Sequence, residues 1–250
     1  MPGVTKEQIN AAKQIRAIDF LLQYRPDDIM PSQCRGEFQL RSHDRRVFAY
    51  LLHRGIDRKV ISDCIRAGIL YESARFHNAV FVGQDENGVP KYAFLRGTLT
   101  NTAESFRAEV AGSDKRYCFC LQPEGESRRV AVYEAAIEVL AHLSLEQTRD
   151  KYRLSLGGIY APKEGFNASS FKKPAALTAF LEQHPNVCEI EICTNNDHAG
   201  RWAAEHIRKE YEGKYRIIMN LPDREGADYG DLAQEKSKER AVRQRAALSR

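Results

Sequence analysis

Two short stretches of the 250-residue chain carry side chains that could do chemistry together. The first is Arg129-Val130-Ala131-Val132-Tyr133-Glu134, with Glu138 one helical turn further on. The second is Ile190-Glu191-Ile192-Cys193-Thr194-Asn195-Asn196-Asp197, followed by Gly200 and Arg201. Each is an apolar run that ends abruptly in acidic or amide side chains, after which an amphipathic helix begins. Strand, acid, helix, occurring twice, is how an α/β sheet gathers carboxylates at the carboxyl ends of its strands. Carboxylates brought together repel one another unless a cation lies between them. A hard ion such as magnesium, with phosphate as its other ligand, is the cation such oxygens suit.

Each candidate also has a plain structural reading. Glu134 directly follows a buried run, which favours a role at the sheet's rim. Glu138 shares its helix face with Glu134; the alternative is a solvated helix edge, with like charges at this spacing costing ~0.2–0.5 kcal/mol. Asp197 is well placed as an N-cap, and a helix start beside a strand end is also where an anion and its metal lodge. Gly200 would let backbone approach closely, and Arg201 would reach a phosphate. After a fourth strand, the acidic loop Asp223–Asp231 offers Asp228 as a further ligand, with Asp231 capping the last helix.

Hydrophobic content of 42% with 29% charged residues describes a globular chain. No apolar stretch is long enough to span a bilayer, and Met1–Glu7 lacks a signal-peptide hydrophobic region, so a cytoplasmic protein with no membrane partner is expected. The six cysteines show no zinc-ribbon spacing and imply no disulfide framework. Cys118 and Cys120 flank Phe119 and read as small core hydrophobes rather than a metal pair. The net charge of +4 lies wholly in residues 1–116, with 18 basic and 14 acidic side chains against 20 of each afterwards. A basic front suits nucleic acid without proving it.

The elements that must position these groups fall into two parts. In the first, Lys6–Gln23 has helical spacing with Thr5 as N-cap, and a loop runs to about Arg41. Asp44–His53 is a second helix ended by Gly55, and Asp57 caps a third that stops at Gly68. Strands are expected at Asn78–Gly83 and Val89–Arg96 around the Asp85-Glu86-Asn87-Gly88 turn, then near Ser105–Val110 and Arg116–Leu121. The polar stretch Pro123–Ser127 marks a boundary, dividing the chain into residues 1–124, 125–232 and 233–250. Beyond it, strands at Arg129–Tyr133, Arg153–Leu156, Val187–Thr194 and Tyr215–Asn220 alternate with helices at Ala135–Leu145, Ser170–Gln183 and Ala199–Glu212. That alternation predicts a parallel sheet with right-handed crossovers, preceded by a smaller α+β domain. A charged helix from Asp231 to about Ala247 closes the chain, read either as solvated or as touching a nucleic-acid backbone.

The acidic pattern resembles the Toprim domain of bacterial primases, topoisomerases and related nucleases. There a strand-end Glu is followed by Gly and an Asp, a later strand ends in Asp-x-Asp, and a third acidic motif follows. Glu134 matches the Glu and Glu138 stands where the Asp would be. Asn195-Asn196-Asp197 matches Asp-x-Asp, and Asp228 falls in the third motif. Leu156-Gly157-Gly158 resembles the primase-type strand-to-loop step. Ala135 in place of Gly and Asn195 in place of Asp are departures. In the front part, Tyr50-Leu51-Leu52-His53-Arg54-Gly55-Ile56-Asp57 is similar to the helix pair that opens the bacterial replicative primase core. Asn78–Val82, the turn, Lys91–Gly97 and Gly112–Lys115 follow that core's order. The whole resembles primase-like Toprim proteins of plasmids and integrative elements, across most of residues 10–232; Cys34 and His43 alone do not make the zinc ribbon that replicative primases carry.

The resemblance implies a primase-like, metal-dependent nucleotidyl or phosphoryl transfer on single-stranded DNA in plasmid or mobile-element replication. Glu134 and Glu138 would be catalytic. Glu134, Asn195, Asp197 and Asp228 would ligate magnesium, or manganese in its place, with no zinc. Arg96, Lys115, Arg116 and Arg201 would bind nucleic acid, and nucleotides and a replicative helicase or other replication protein would be partners. Two neighbouring readings are a catalytically impaired Toprim accessory protein that still grips nucleic acid, which the Asn195 departure suits, and a Toprim nuclease. A small-molecule phosphotransferase or nucleotide-binding regulator is a further reading, without a Walker or glycine-rich fingerprint to recommend it.

Overall fold

The computed structural model describes residues 44–73, 76–99, 106–162 and 171–248. The Lys6–Gln23 helix with its Thr5 cap, Cys34 and His43 lie outside them.

The front part opens with α1 (Arg45–His53) and α2 (Arg58–Arg66). Asp57 caps α2 as expected, its Oδ1 accepting from the Lys59 N–H at 2.8 Å, and the apolar positions Val60, Ile61, Cys64 and Ile65 are all buried. Asp44 makes no such side-chain bond to α1. Glu72 caps that helix from afar, with Oε2 accepting from the Arg46 and Val47 N–H groups at 3.0 Å each. Glu72 lies on β1 (Leu70–Glu72), the first strand of an antiparallel sheet ordered β1-β2-β3-β4, with β2 at Ala79–Gln84, β3 at Pro90–Arg96 and β4 at Arg107–Glu109. The β2–β3 turn closes on Asp85, whose Oδ1 accepts from the Asn87 and Val89 N–H groups while Gly88 takes φ +73°.

The run Arg116–Leu121 is not one strand. Lys115–Tyr117 forms a 3₁₀ turn capped by Asp114, and only Cys120–Leu121 extends, as β5. The capping carboxylate competes there with strand pairing. Cys118 and Cys120 both pack in the apolar core, in keeping with the expectation.

The second sheet is ordered β5-β7-β6-β8-β9, from β6 (Arg129–Tyr133), β7 (Tyr152–Ser155), β8 (Glu189–Ile192) and β9 (Arg216–Met219). All its pairs are parallel except β5 with β7. One face packs on α4 (Ala175–Gln183) and α5 (His198–Tyr211), burying Val130, Val132, Ile190 and Ile192 against Leu177, Phe180, Ala204 and Ile207. The α4 helix starts at Ala175 rather than Ser170, with Pro174 extended at its N-cap, because the residue before a proline is steered away from helix. The other face packs on α3 (Ala136–Glu146) and α6 (Tyr229–Leu248), in one core with Leu51, Ile61, Phe81 and Phe119 of the preceding residues. Every residue of α3 from Ala136 to Ser144 is buried, so the helix runs between the two parts of the molecule.

Under α3 this face also buries charge. Lys151 Nζ donates to Glu191 at 2.6 Å and to Glu146 at 3.0 Å, and Arg153 pairs with Glu146. Lys151, Arg153 and Glu191 are 3%, 1% and 4% exposed, so none of them could be left without its partner at small cost.

Candidate active site

In the parallel order β7-β6-β8-β9 the chain leaves β6 toward one side and β8 toward the other. A crevice opens at such a switch point, outside the carboxyl ends of the strands. Glu134 follows β6 and Asn195-Asn196-Asp197 follows β8, so both acidic stretches reach this crevice.

Each acidic side chain there is held by a backbone N–H. Glu134 Oε1 accepts from the Asn195 N–H at 2.9 Å, bridging the two strand ends. Asp197 Oδ1 caps α5 by accepting from Gly200 at 2.7 Å. Asp228 Oδ1 accepts from Asp231 at 2.7 Å, which makes Asp228 the cap of α6 and places Asp231 inside the helix. The cap expected of Asp231 thus falls to Asp228: the helix begins at Tyr229, two residues before Asp231. Glu138 Oε2 accepts from Ala135 at 3.1 Å and is 5% exposed. The solvated-edge reading of Glu138 is therefore wrong, because α3 is covered on all sides. Glu134, Asp197 and Asp228 each keep a second oxygen without a hydrogen bond from the described residues.

Burial and mutual repulsion act on these groups together. Burial raises the Glu134 carboxyl to about 7, aided by the charges of Asp197 and Asp228 and opposed by the Asn195 N–H. Burial also holds Glu138 well above the carboxylate range, with Glu134 and Asp228 adding to the effect. Asn195 Oδ1 is buried, with no donor among the described residues. Among the described residues, no three His, Cys, Asp or Glu side chains already converge at the spacing of a closed metal site. The donors are nevertheless all oxygen, and burial acts on Glu134 and Glu138 among them. They fit magnesium, which keeps several waters and binds through one or two carboxylates plus substrate phosphate rather than in an all-protein cage.

Gly200 is required by packing. A Cβ there would lie 2.0 Å from the Asn195 carbonyl oxygen, so the close backbone approach is made by Asn195. The Arg201 guanidinium donates to Asn196 O and Oδ1 at 3.0 Å each and pairs with Glu225, tying the β8–α5 turn to the β9–α6 loop.

The other basic candidates are dispersed. Lys115 Nζ donates to the Gly157 carbonyl at 3.2 Å, and Gly158 N–H donates to the Glu134 carbonyl at 2.8 Å, so Lys115 borders the crevice. Arg116 grips Asp114 through Nε and a terminal nitrogen. Arg96 Nε donates to the Tyr50 hydroxyl at 3.3 Å, on the front sheet. The structure thus brings Glu134, Glu138, Asn195, Asp197, Asp228, Lys115 and Arg201 around one rim, and does not bring Arg96 or Arg116 to the acidic groups.

Sequence reasoning missed two contributors. Arg54 is half-buried, and its Nε has no hydrogen-bond partner among the described residues. A Cβ on Gly230 would meet Asp228 Oδ1 at 2.9 Å and an Arg54 terminal nitrogen at 3.0 Å, so the guanidinium lies beside Asp228. Its signal was the Arg54-Gly55 step between α1 and α2. The second is an aromatic brace beneath the rim. His142 Nδ1 shares a hydrogen bond with the Tyr133 hydroxyl at 2.8 Å and stacks on Tyr229 at 3.9 Å, linking the residue before Glu134 to the residue after Asp228.

A family model described as a protein of unknown function (DUF3991) matches residues 49–125. No curated protein matches the chain. Among solved structures, the chain is similar to a DnaG primase catalytic domain bound to ssDNA, at 16% identity and a TM-score of 0.50 over 97% of this chain and 79% of that one. It is also similar to the zinc-binding and RNA polymerase domains of the Aquifex aeolicus primase, at 15% identity and a TM-score of 0.49 over 96% of this chain. The chain spans 61% of the length of that Aquifex structure. The primase fragment of the bacteriophage T7 primase-helicase follows at 15% identity and a TM-score of 0.49, over 76% of this chain and 72% of that one. The mixed α/β architecture, a parallel-containing sheet with flanking helices, is similar to the fold of the primase catalytic core.

Proposed function

We propose that the chain is a primase-like nucleotidyl transferase with a Toprim domain at residues 125–232, acting on single-stranded DNA in replication of a mobile element. The observation that supports this most is the placement of Glu134, Asp197 and Asp228 around the crevice between β6 and β8, each oriented by a backbone N–H. These three, with Asn195, would hold magnesium or manganese. The ion, when bound, neutralises phosphate oxygens and makes a hydroxyl a better nucleophile.

The chain's own residues prepare that chemistry. Burial, with the Glu134 charge beside it, favours the protonated form of Glu138. A cation held by Glu134 and its neighbours would favour loss of that proton. Glu138 then accepts the proton of an attacking hydroxyl. Lys115 on the Gly157-Gly158 loop and Arg54 beside Asp228 flank the rim with positive charge suited to phosphate. Arg96 and Arg116 lie further out, where they would hold a template strand.

Synthesis of short RNA on a single-stranded template with magnesium and ribonucleotides tests this reading. Wild-type synthesis, lost ~100-fold or more in Glu134→Gln, is expected. Equal synthesis by Glu134→Gln would overturn it. The buried amide of Asn195, in place of a carboxylate, favours one alternative: an accessory protein that binds template without turnover. Template binding with neither synthesis nor cleavage, and synthesis gained in Asn195→Asp, is the outcome that reading requires. Cleavage of the template would identify a nuclease.

A further inference from the structure

The α6 helix starts at the candidate site, where Asp228 caps it, and runs about 30 Å at 1.5 Å per residue over its 20 residues. Its first turns are packed: Tyr229 and Ala233 are buried against α3, and the Ala233 carbonyl sits where a Cβ on Gly55 would be. From Lys238 onward every described side chain is exposed. Between packed and exposed turns, two adjoining cavities of about 190 and 500 Å³ form a groove with an apolar floor that includes Leu52, Ile56, Leu145 and Leu232. Lys236, Arg240 and Arg243 line it from α6, at the i, i+4, i+7 spacing of a single helix face. Arg58 lines it from α2.

The charges of this groove are not balanced. Its acidic residues are engaged elsewhere or at the limit of pairing: Asp57 caps α2, Glu235 pairs with Arg224, and Glu239 stands 4.0 Å from Arg243. Among the described residues Arg240 has no acidic partner, and Arg58 has only the face of Phe48, at 5.3 Å. Lys236 donates to the Leu145 carbonyl at the end of α3. One groove wall is thus a ladder of cations with exposed heads, on the helix whose other end caps the candidate site. A polyanionic backbone complements it, and an anionic membrane does not, because Val242 is the sole large apolar side chain described as exposed along these turns.

We propose that this groove holds the phosphate backbone of a nucleic acid, a contact remote from the acidic rim and additional to it. This rests on the nucleic-acid reading above. The test measures binding of the full chain to a labelled single-stranded oligonucleotide, and to a DNA–RNA hybrid, across a salt series. Replacing Arg58, Arg240 and Arg243 together by Ala removes up to three phosphate contacts. We expect ~10-fold or greater weakening at low salt, and a salt slope shallower by about 2 for a single strand. Glu239→Lys, which adds a cation to the same ladder, is expected to tighten binding several-fold. Unchanged affinity and slope in both variants would overturn the groove assignment alone. Absence of wild-type binding to either nucleic acid would overturn the functional reading with it. Tighter binding to vesicles of anionic lipid than to either nucleic acid would also reject the assignment.

Discussion

Glu134 concentrates the electrostatics of the molecule in one titration. Its carboxyl is raised from 4.5 to about 7 by burial first and by Asp197 and Asp228 second. Between those values the folded chain holds a proton that the unfolded chain has released, so this group's contribution to stability falls as pH rises from 4.5 through 7. His142 works the other way: burial lowers it from 6.5 to about 4, and stability is lost as pH falls through that window. A comparison with Glu134→Gln separates the two. In metal-free protein, wild type should lose thermal stability relative to this variant as pH is raised from 5 to 8, and thermal denaturation across that range measures it. Magnesium competes with the same proton, so its affinity by calorimetry should weaken ~10-fold per unit below pH 7. A pH-independent affinity would show that Glu134 is not a ligand.

At the scale of elements, the sharpest constraint is the first turn of α5. The Asn195 carbonyl fills the place of a Cβ on Gly200, and the Thr194 hydroxyl donates to the Gly200 carbonyl at 3.0 Å. Gly200→Ala should therefore cost roughly 1–3 kcal/mol in denaturant unfolding, and should move Asn195 with it. This junction shows what was legible in the sequence. The β6 strand, the Asp57 and Asp197 caps and the Asn-Gly turn were readable, because caps and turns are written in neighbouring residues. The trans cap of α1 by Glu72, the burial of Glu138 and the place of Arg54 were not. Each depends on which distant segment covers the residue, and periodicity gives a face without naming its partner. The Arg116–Leu121 run failed for a local reason, since Asp114 offered its backbone an alternative to pairing.

At the scale of the molecule, the two sheets are not independent. Phe119 meets Phe81 edge to face at 5.7 Å across the join, and its carbonyl accepts from Ser155 of β7. Gly55, at φ +81°, lets the α1–α2 turn press on the α6 backbone. One core runs through both parts. Thermal and denaturant unfolding should therefore follow a single cooperative transition, coincident by far-UV and near-UV signals. Phe119→Ala should lower that transition as a whole, by about 3–5 kcal/mol, rather than release the front part alone. Two separated transitions would show that the shared core does not couple them.

The ionic cluster under α3 has a different consequence, for assembly. Parallel strands rich in Val and Ile tolerate sliding by two residues, since each slide returns the same apolar pattern to the same face. Lys151, Arg153 and Glu191 remove that freedom, because a slipped β7 or β8 would strand a buried ammonium, guanidinium or carboxylate. Replacing the set with Met and Leu could leave the sheet as stable or more so. What it would lose is the penalty on misalignment, and with it the fixed offset that brings Glu134 opposite Asn195.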